Sequence, residues 1–527
     1  MKERLVEDWL ISVNERGYEV PFCQSLLAKG YRVLRCGHSS IEHGKDVLAI
    51  APDGAVCAYQ LKSGDLALAD LTKYLGQINM LVETRPIYPG LPTDFIYRPY
   101  LVTTGQFKEP SLSLIKELNA SWEHRKLPTL EPINGRQLHV EFVALSSDFW
   151  PVESPAVRRF RELYLVDGRG DLDVKQYARF LIEILRDAKS GSDLERRVAG
   201  ANIFASYLLS EFYKQQDHWS IFQGWTICAA QIAWAGESGE FPEKHWKAAF
   251  EIAKEGAMNA LANLNKEVLK EDSFRVYDRE LDELTRTRNT VAVAGAGCWQ
   301  LVAKRDAANP DSLRQIEDII VKLLERGRFY FWGEGALSQF LMLFWVLACG
   351  QNPVRANSLL MSLIEVISLQ NAKNSEDAFE DPYSSPDECL VKLLKTSASE
   401  EVPRRQTVES YSLFPMVLLA ARRELRVELE KAWQQITHVD LTWFKPEKPA
   451  DTLLWHCERG KEYQCTFDRP QSWKQLHELA LRDDRDRLPK VLRDDFEFGV
   501  AFMLAFPHRI MPSLIKHLDD LISPPRS

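Results

Sequence analysis

Apolar residues recur at helical spacing from the start of the chain, with Leu5, Trp9, Leu10 and Val13 forming one stripe over residues 2–16. Gly17-Tyr18 interrupts that stripe, and Pro21 suits the first turn of a second helix running to about Lys29 and closed by Gly30. Tyr31 to Arg35 reads as a strand, followed by a polar loop from Gly37 to Gly44. Two β-type runs, ending at Ala51 and beginning at Ala55, then flank Pro52-Asp53-Gly54, the mark of a hairpin with a three-residue loop. Ser63-Gly64-Asp65 breaks the sheet. Beyond it Leu68, Leu71, Leu75, Ile78 and Val82 step by threes and fours along a helix. Further strands are predicted at Tyr97–Val102 and His139–Leu145, with a helix near Ser111–Leu118 between them. The loop from Glu83 to Asp94, with Pro86, Pro89 and Pro92, reads as a substrate-facing insertion. This order predicts an α/β domain over residues 1–150, a small mixed sheet flanked by helices.

Past Trp150-Pro151 the pattern turns helical almost throughout. The long runs are Val174–Lys189, Leu194–Gln216, Pro242–Leu264, Leu313–Arg326, Ala336–Cys349 and Phe414–Ile436. No fixed repeat period emerges. Asn371–Glu388 is an acidic loop, Ser397–Gln406 a break and Pro446–Arg469 irregular, and two helices close the chain. A large all-α region over 151–440 follows, with a C-terminal helical segment over 441–527 that joins it or stands beside it. Ala336–Cys349 is the most apolar run, but it is shorter than the roughly 20 residues a span requires. Gln339 interrupts it as well, so it is expected to be a buried helix, and no membrane is invoked.

Length and charge add bounds. At 527 residues the chain exceeds one ordinary core. Its net charge of −9 argues against a surface coated in positive charge, while leaving room for a local basic groove. The basic doublets Arg158-Arg159, Arg196-Arg197, Arg404-Arg405 and Arg422-Arg423 are scattered, and only the first lies near the α/β boundary, where it would grip phosphate. Nine cysteines include no Cys-x-x-Cys pair, and Cys457 and Cys465 near His456 lack the partner pair of a zinc site. The charged start Met-Lys-Glu-Arg has no apolar signal core, so free thiols and a cytoplasmic home are expected. Gly295-Ala296-Gly297 lacks the remaining glycine and the Lys-Ser/Thr of a phosphate loop, and reads as helix packing.

The candidate chemistry sits on the hairpin. Pairing Ala51 with Ala55 places Asp46 opposite Gln60, and Lys62 falls on the same face by period two. Facing side chains on an antiparallel pair lie about 5 Å apart at Cβ. A carboxylate, an amide and an amine thus gather at one end of two apolar strands. A hard divalent cation takes oxygen ligands of this kind, polarises a phosphate and acidifies water. Lysine balances the charge that develops on phosphorus. The alternative is a sheet edge with ordinary polar ends.

Gly30-Tyr31-Arg32-Val33, then Glu42-His43-Gly44-Lys45-Asp46, then Gln60-Leu61-Lys62 resemble, in order and spacing, the Mrr-type branch of the PD-(D/E)XK nucleases, whose last motif is Gln-x-Lys. The resemblance covers roughly the first 150 residues and implies a restriction-endonuclease-like fold. It also implies an endonuclease that cleaves DNA with Mg²⁺, or with Mn²⁺, in a bacterial restriction or phage-defence setting. Asp46 and Gln60 would hold metal, with Gln60 using a side-chain or a backbone oxygen, and Lys62 would assist the water. The family adds an acidic ligand from the first helices. Glu19, eleven residues before Gly30, is best placed, although Pro21 sets it at a helix start. Glu7 and Glu42 are the alternatives. Gln77, from the helix after the motif, would also point at the site, whereas His38 and His43 read as loop residues. The helical region would sense a signal, a protein partner or the nucleic acid, and an oligomer is compatible. A second reading makes the chain an interaction protein whose nuclease domain is only a scaffold.

Overall fold

Gly54 adopts φ +84°, a conformation that favours glycine, and this lets the Pro52-Asp53-Gly54 turn close. Asp53 Oδ1 accepts the Ala55 N–H at 3.1 Å and Ala51 N–H donates to Ala55 O at 2.8 Å. In the computed structural model this turn joins β2 (Val47–Ile50) to β3 (Val56–Lys62), paired from Val47↔Tyr59 to Ile50↔Val56. The residues described are 2–36, 45–88, 91, 94–146, 159–160, 162–164, 168, 170–270, 282–303, 310–371, 379, 382–390, 409–442, 444, 446–455 and 472–523. Glu42, His38, His43, Arg158, Arg404-Arg405, His456, Cys457 and Cys465 lie outside them, as do Ser397–Gln406 and parts of 83–94 and 371–388.

The sheet has five strands in the order β1-β2-β3-β4-β5, with β1 at Arg32–Cys36, β4 at Tyr97–Thr103 and β5 at Glu131–Ile133. β1, β2 and β3 run antiparallel, while β4 lies parallel to both β3 and β5. The parallel joins require crossovers, supplied by the helices α3 (Leu68–Glu83) and α4 (Glu109–His124). Every residue of β3 is buried. Leu48, Val56 and Ala58 meet Ile78 and Leu81 of α3 and Ile115 and Trp122 of α4 in one core. On the other face Tyr59 packs edge-on against Phe22, ring centroids 5.1 Å apart, in the helix α2 (Glu15–Ala28).

Two elements differ from expectation. The first helix, α1, covers Lys2–Ser12, and α2 begins at Glu15 because Asn14 caps it, its side chain accepting the Gly17 N–H at 2.9 Å. Pro21 therefore lies inside α2, where one hydrogen bond is forgone, and Glu19 is a helix-interior residue. The strand expected at His139–Leu145 is the helix α5 (Gly135–Ser146), and the last strand is the short β5 before it. Leu138 and Phe142, one turn apart, are fully buried, and Phe142 stacks edge-on with Trp9 at 5.7 Å, whereas Val140 is exposed. Period four decides this segment.

The chain's contacts divide it into two compact units, Met1–Asn259 and Ala260–Ser527. The first includes the sheet and the helices Val174–Leu185, Gly191–Gln215 and His218–Ser238. Gly191–Gln215 packs along α2: Asn14 Nδ2 donates to Tyr213 O at 3.2 Å, and Asn202 Nδ2 donates to Gln24 Oε1 at 3.1 Å. Gly17 through Leu26 of α2 are all buried.

Among its described residues the second unit has helices and a two-residue parallel pair, Glu409–Ser410 with Asp440–Leu441. Its helix Leu337–Cys349 is buried from Leu337 to Leu347, and Trp345 donates to Asp519 at 3.0 Å. Among the described residues no helix is long and apolar enough to cross a membrane. Gly295 lies in the helix Asp282–Ala303, where an added Cβ would sit 2.4 Å from Leu264, a close helix contact. The run Phe414–Ile436 is two helices, Leu413–Arg422 and Arg426–Ile436, broken where Glu424 takes φ 57°.

Candidate active site

The hairpin's open end lies beside the start of α2 and the exposed side of α3. The observed pairing ends at Val47↔Tyr59, so Asp46, expected opposite Gln60, lies just beyond it. Asp46 leaves the ladder there: its N–H donates to Tyr59 O at 2.8 Å, and its carboxylate Oδ2 takes the Leu61 N–H at 2.6 Å. The side chain thus replaces a main-chain partner, which fixes the carboxylate at the end of β3.

Gln60 is 1% exposed. Its Nε2 donates to Gln77 Oε1 at 2.7 Å, which orients the amide. Its Oε1 is buried with no hydrogen-bond partner among the described residues. An acceptor left so costs roughly 1–3 kcal/mol, and such oxygens are normally satisfied. An oxygen of this kind suits a hard cation. Gln77 reaches Gln60 from the exposed face of α3.

Lys62 is buried, with Nζ 3.4 Å from the Glu15 carboxylate and 4.8 Å from the centre of the Tyr74 ring. Its main chain is clasped by Tyr18, whose hydroxyl donates to Lys62 O at 2.8 Å and accepts Lys62 N–H at 3.1 Å. Burial foremost, then the negative charges of Glu15, Asp46 and Glu19, push this phenol's pKa well up, so it remains a donor. Those three carboxylates therefore share the neighbourhood of Tyr18.

Glu19 is buried within α2, whereas Glu7 is exposed on α1. Among the described residues no three His, Cys, Asp or Glu side chains are grouped as around a metal ion. The oxygen set is Asp46 with the Gln60 amide. Glu15, Tyr18 and Tyr74 were not anticipated from sequence. Their signal was helical spacing: Glu15, Tyr18 and Glu19 share one face of α2, and Tyr74 precedes Gln77 by one turn.

No known family model, curated protein or solved structure matches the chain. The site is therefore read from its own geometry.

Lys45 is buried next to Asp46, with Nζ 3.4 Å from Met80 O, and burial draws its pKa from the ordinary 10.5 to about 8. Between these values the unfolded chain binds the extra proton, so stability rises with pH from about 8 to 10.5, and the cost is fully present below 8. Met80 O also accepts the Thr84 N–H at 3.1 Å, so removing the amine orphans nothing there. In EDTA, Lys45→Met is expected to melt a few degrees above wild type at pH 7, with the gap closing above pH 10. Thermal melts across pH check this, and a gap independent of pH would refute it.

Proposed function

We propose that the first unit is a metal-dependent endonuclease of the Mrr-like PD-(D/E)XK kind, hydrolysing DNA phosphodiester bonds. The observation that carries this reading is the buried Gln60 Oε1, without a hydrogen-bond partner among the described residues, with the Asp46 carboxylate on the next residue's N–H and Lys62 two residues on. Asp46 and Gln60 would hold Mg²⁺ or Mn²⁺, with Glu19 the further acidic candidate on α2. When bound, such a cation supplies Lewis acidity toward a phosphate oxygen. Lys62 places an ammonium where charge develops on the phosphate and stays available because its main chain is clasped by Tyr18. Gln77 orients the Gln60 carbonyl by taking its N–H. A role in restriction or phage defence, with the helical regions as sensor or partner-binding elements, follows from the resemblance alone.

The test is incubation of the full chain with supercoiled plasmid, single-stranded DNA and RNA, in Mg²⁺, Mn²⁺ or EDTA. Divalent-dependent nicking of DNA is expected. Gln77→Leu is expected to slow it about 10–100-fold, the usual effect of losing a partner that orients a ligand, and to lower the melting temperature by a few degrees because the Gln60 amide N–H loses its acceptor. A Gln77→Leu enzyme that cuts at the wild-type rate would remove Gln77 from the site.

That no three His, Cys, Asp or Glu side chains are grouped as around a metal ion among the described residues favours a second reading, an interaction protein with a degenerate site. Mn²⁺ binding separates the two. A chain that takes up no Mn²⁺ and leaves every nucleic acid intact belongs to the second class.

A further inference from the structure

The lysine is held by two groups from two helices, and they differ in what they leave free. Glu15 approaches Lys62 Nζ to 3.4 Å, longer than the roughly 2.7–2.9 Å of a strong charge-assisted bond, and its side chain is 31% exposed. That contact is loose, and solvent weakens it further. On α3, Tyr74 puts its ring centre 4.8 Å from the same nitrogen, within the reach of a cation–π contact. Lys62's side chain is only 8% exposed, so this contact is largely desolvated, the condition under which it is strongest.

The two restraints also act differently toward a phosphate. A carboxylate engages the ammonium N–H donors and competes with the substrate for them. An aromatic face attracts the charge through its quadrupole, so the three donors stay available. Tyr74 is half-buried on the exposed side of α3, one turn from Gln77. Lys73, exposed beside it, holds a second ammonium 5.7 Å from the same ring centre. One helix turn thus presents the amide that orients Gln60 and the ring that places Lys62.

We propose that Tyr74 is a positioning residue of the hydrolytic site, its ring holding the Lys62 ammonium at the end of β3 without occupying an N–H donor, so that the donors Glu15 does not engage remain for a phosphate. The assignment rests on the nuclease reading for its function, while the ring–ammonium contact can be measured without it. The ring is the working part and the hydroxyl is dispensable, so phenylalanine should substitute and leucine should not.

The full chain, labelled with ¹³Cε-lysine in a deuterated background, gives the direct readout. The Lys62 ε-CH₂ resonance is identified by its absence from Lys62→Arg. An upfield ring-current displacement is expected in wild type and Tyr74→Phe, and its loss in Tyr74→Leu. In steady-state plasmid cleavage, Tyr74→Phe should stay within about twofold of wild type. Tyr74→Leu should lose about tenfold in kcat with KM little changed. A Lys62 resonance that is undisplaced in wild type, or a Tyr74→Leu enzyme with unaltered kcat, overturns the proposal. If wild type cuts nothing, the nuclease reading fails, and the ring-current comparison still decides whether Tyr74 holds Lys62.

Discussion

Asp46→Asn is expected to abolish metal-dependent cleavage while leaving the protein folded, and Lys62→Met to do the same by a different route. Asparagine is the informative replacement because the native Oδ2 accepts the buried Leu61 N–H at 2.6 Å. Asn keeps an acceptor there and removes only the charge. Alanine would orphan that N–H at about 1–3 kcal/mol and confound chemistry with stability. Calorimetry with Mn²⁺ should show binding weakened at least tenfold in Asp46→Asn, since a candidate oxygen ligand loses its charge. Lys62→Met keeps the apolar stem beside Tyr74 and should bind Mn²⁺ like wild type. Its cleavage should slow by roughly 10²–10³, the usual effect of deleting one group that stabilises transition-state charge. Melting temperatures close to wild type would assign both losses to the site. Undiminished cleavage in Asp46→Asn would end the proposal.

A fragment ending at residue 150 is expected not to fold cooperatively, whereas one ending at 270 should. The reason lies in α2, whose residues Gly17–Leu26 are buried on every side. One side meets the sheet through Phe22 and Tyr59, and another meets the helix Gly191–Gln215. Cutting at 150 removes Asn202 from Gln24 and Tyr213 O from Asn14. It also removes Tyr207, whose ring packs against the fully buried Trp9 at 4.8 Å. Exposing a large apolar side chain costs about 1.5–3 kcal/mol, so a few such losses consume the 5–15 kcal/mol of a typical domain. Circular dichroism melts of the two fragments check this. A sharp, reversible transition in the 1–150 fragment would refute it.

What could be read in the sequence was what local geometry determines. The three-residue turn set the hairpin register, because slipping by one residue would exchange the side chains β3 presents to α3 and α4 with those it presents to α2. Gln77 followed from the apolar stripe of α3 and the resemblance together. Residues 139–145 were misread because a short apolar stretch satisfies both periods, and only the burial of Leu138 and Phe142 separates them. Pro21 drew the start of α2 too far along the chain, since the cap at Asn14 and the surrounding packing outweigh one missing bond. Glu15, Tyr18 and Tyr74 meet Lys62 only through contacts between helices and a strand distant in sequence, and no local pattern announces those.

The two edges of β3 are completed by different events. Its partner on one side arrives through a three-residue turn, and hairpins close in about 1–10 μs. On the other side Lys62 waits for Thr103, which comes into place only after α3 has swung across the sheet carrying Gln77. Non-local closure of that kind is the slower step. A nascent polypeptide would therefore carry Asp46 and Lys62 before Gln77 reaches Gln60, and the proposed metal site would be complete only when the crossover is finished.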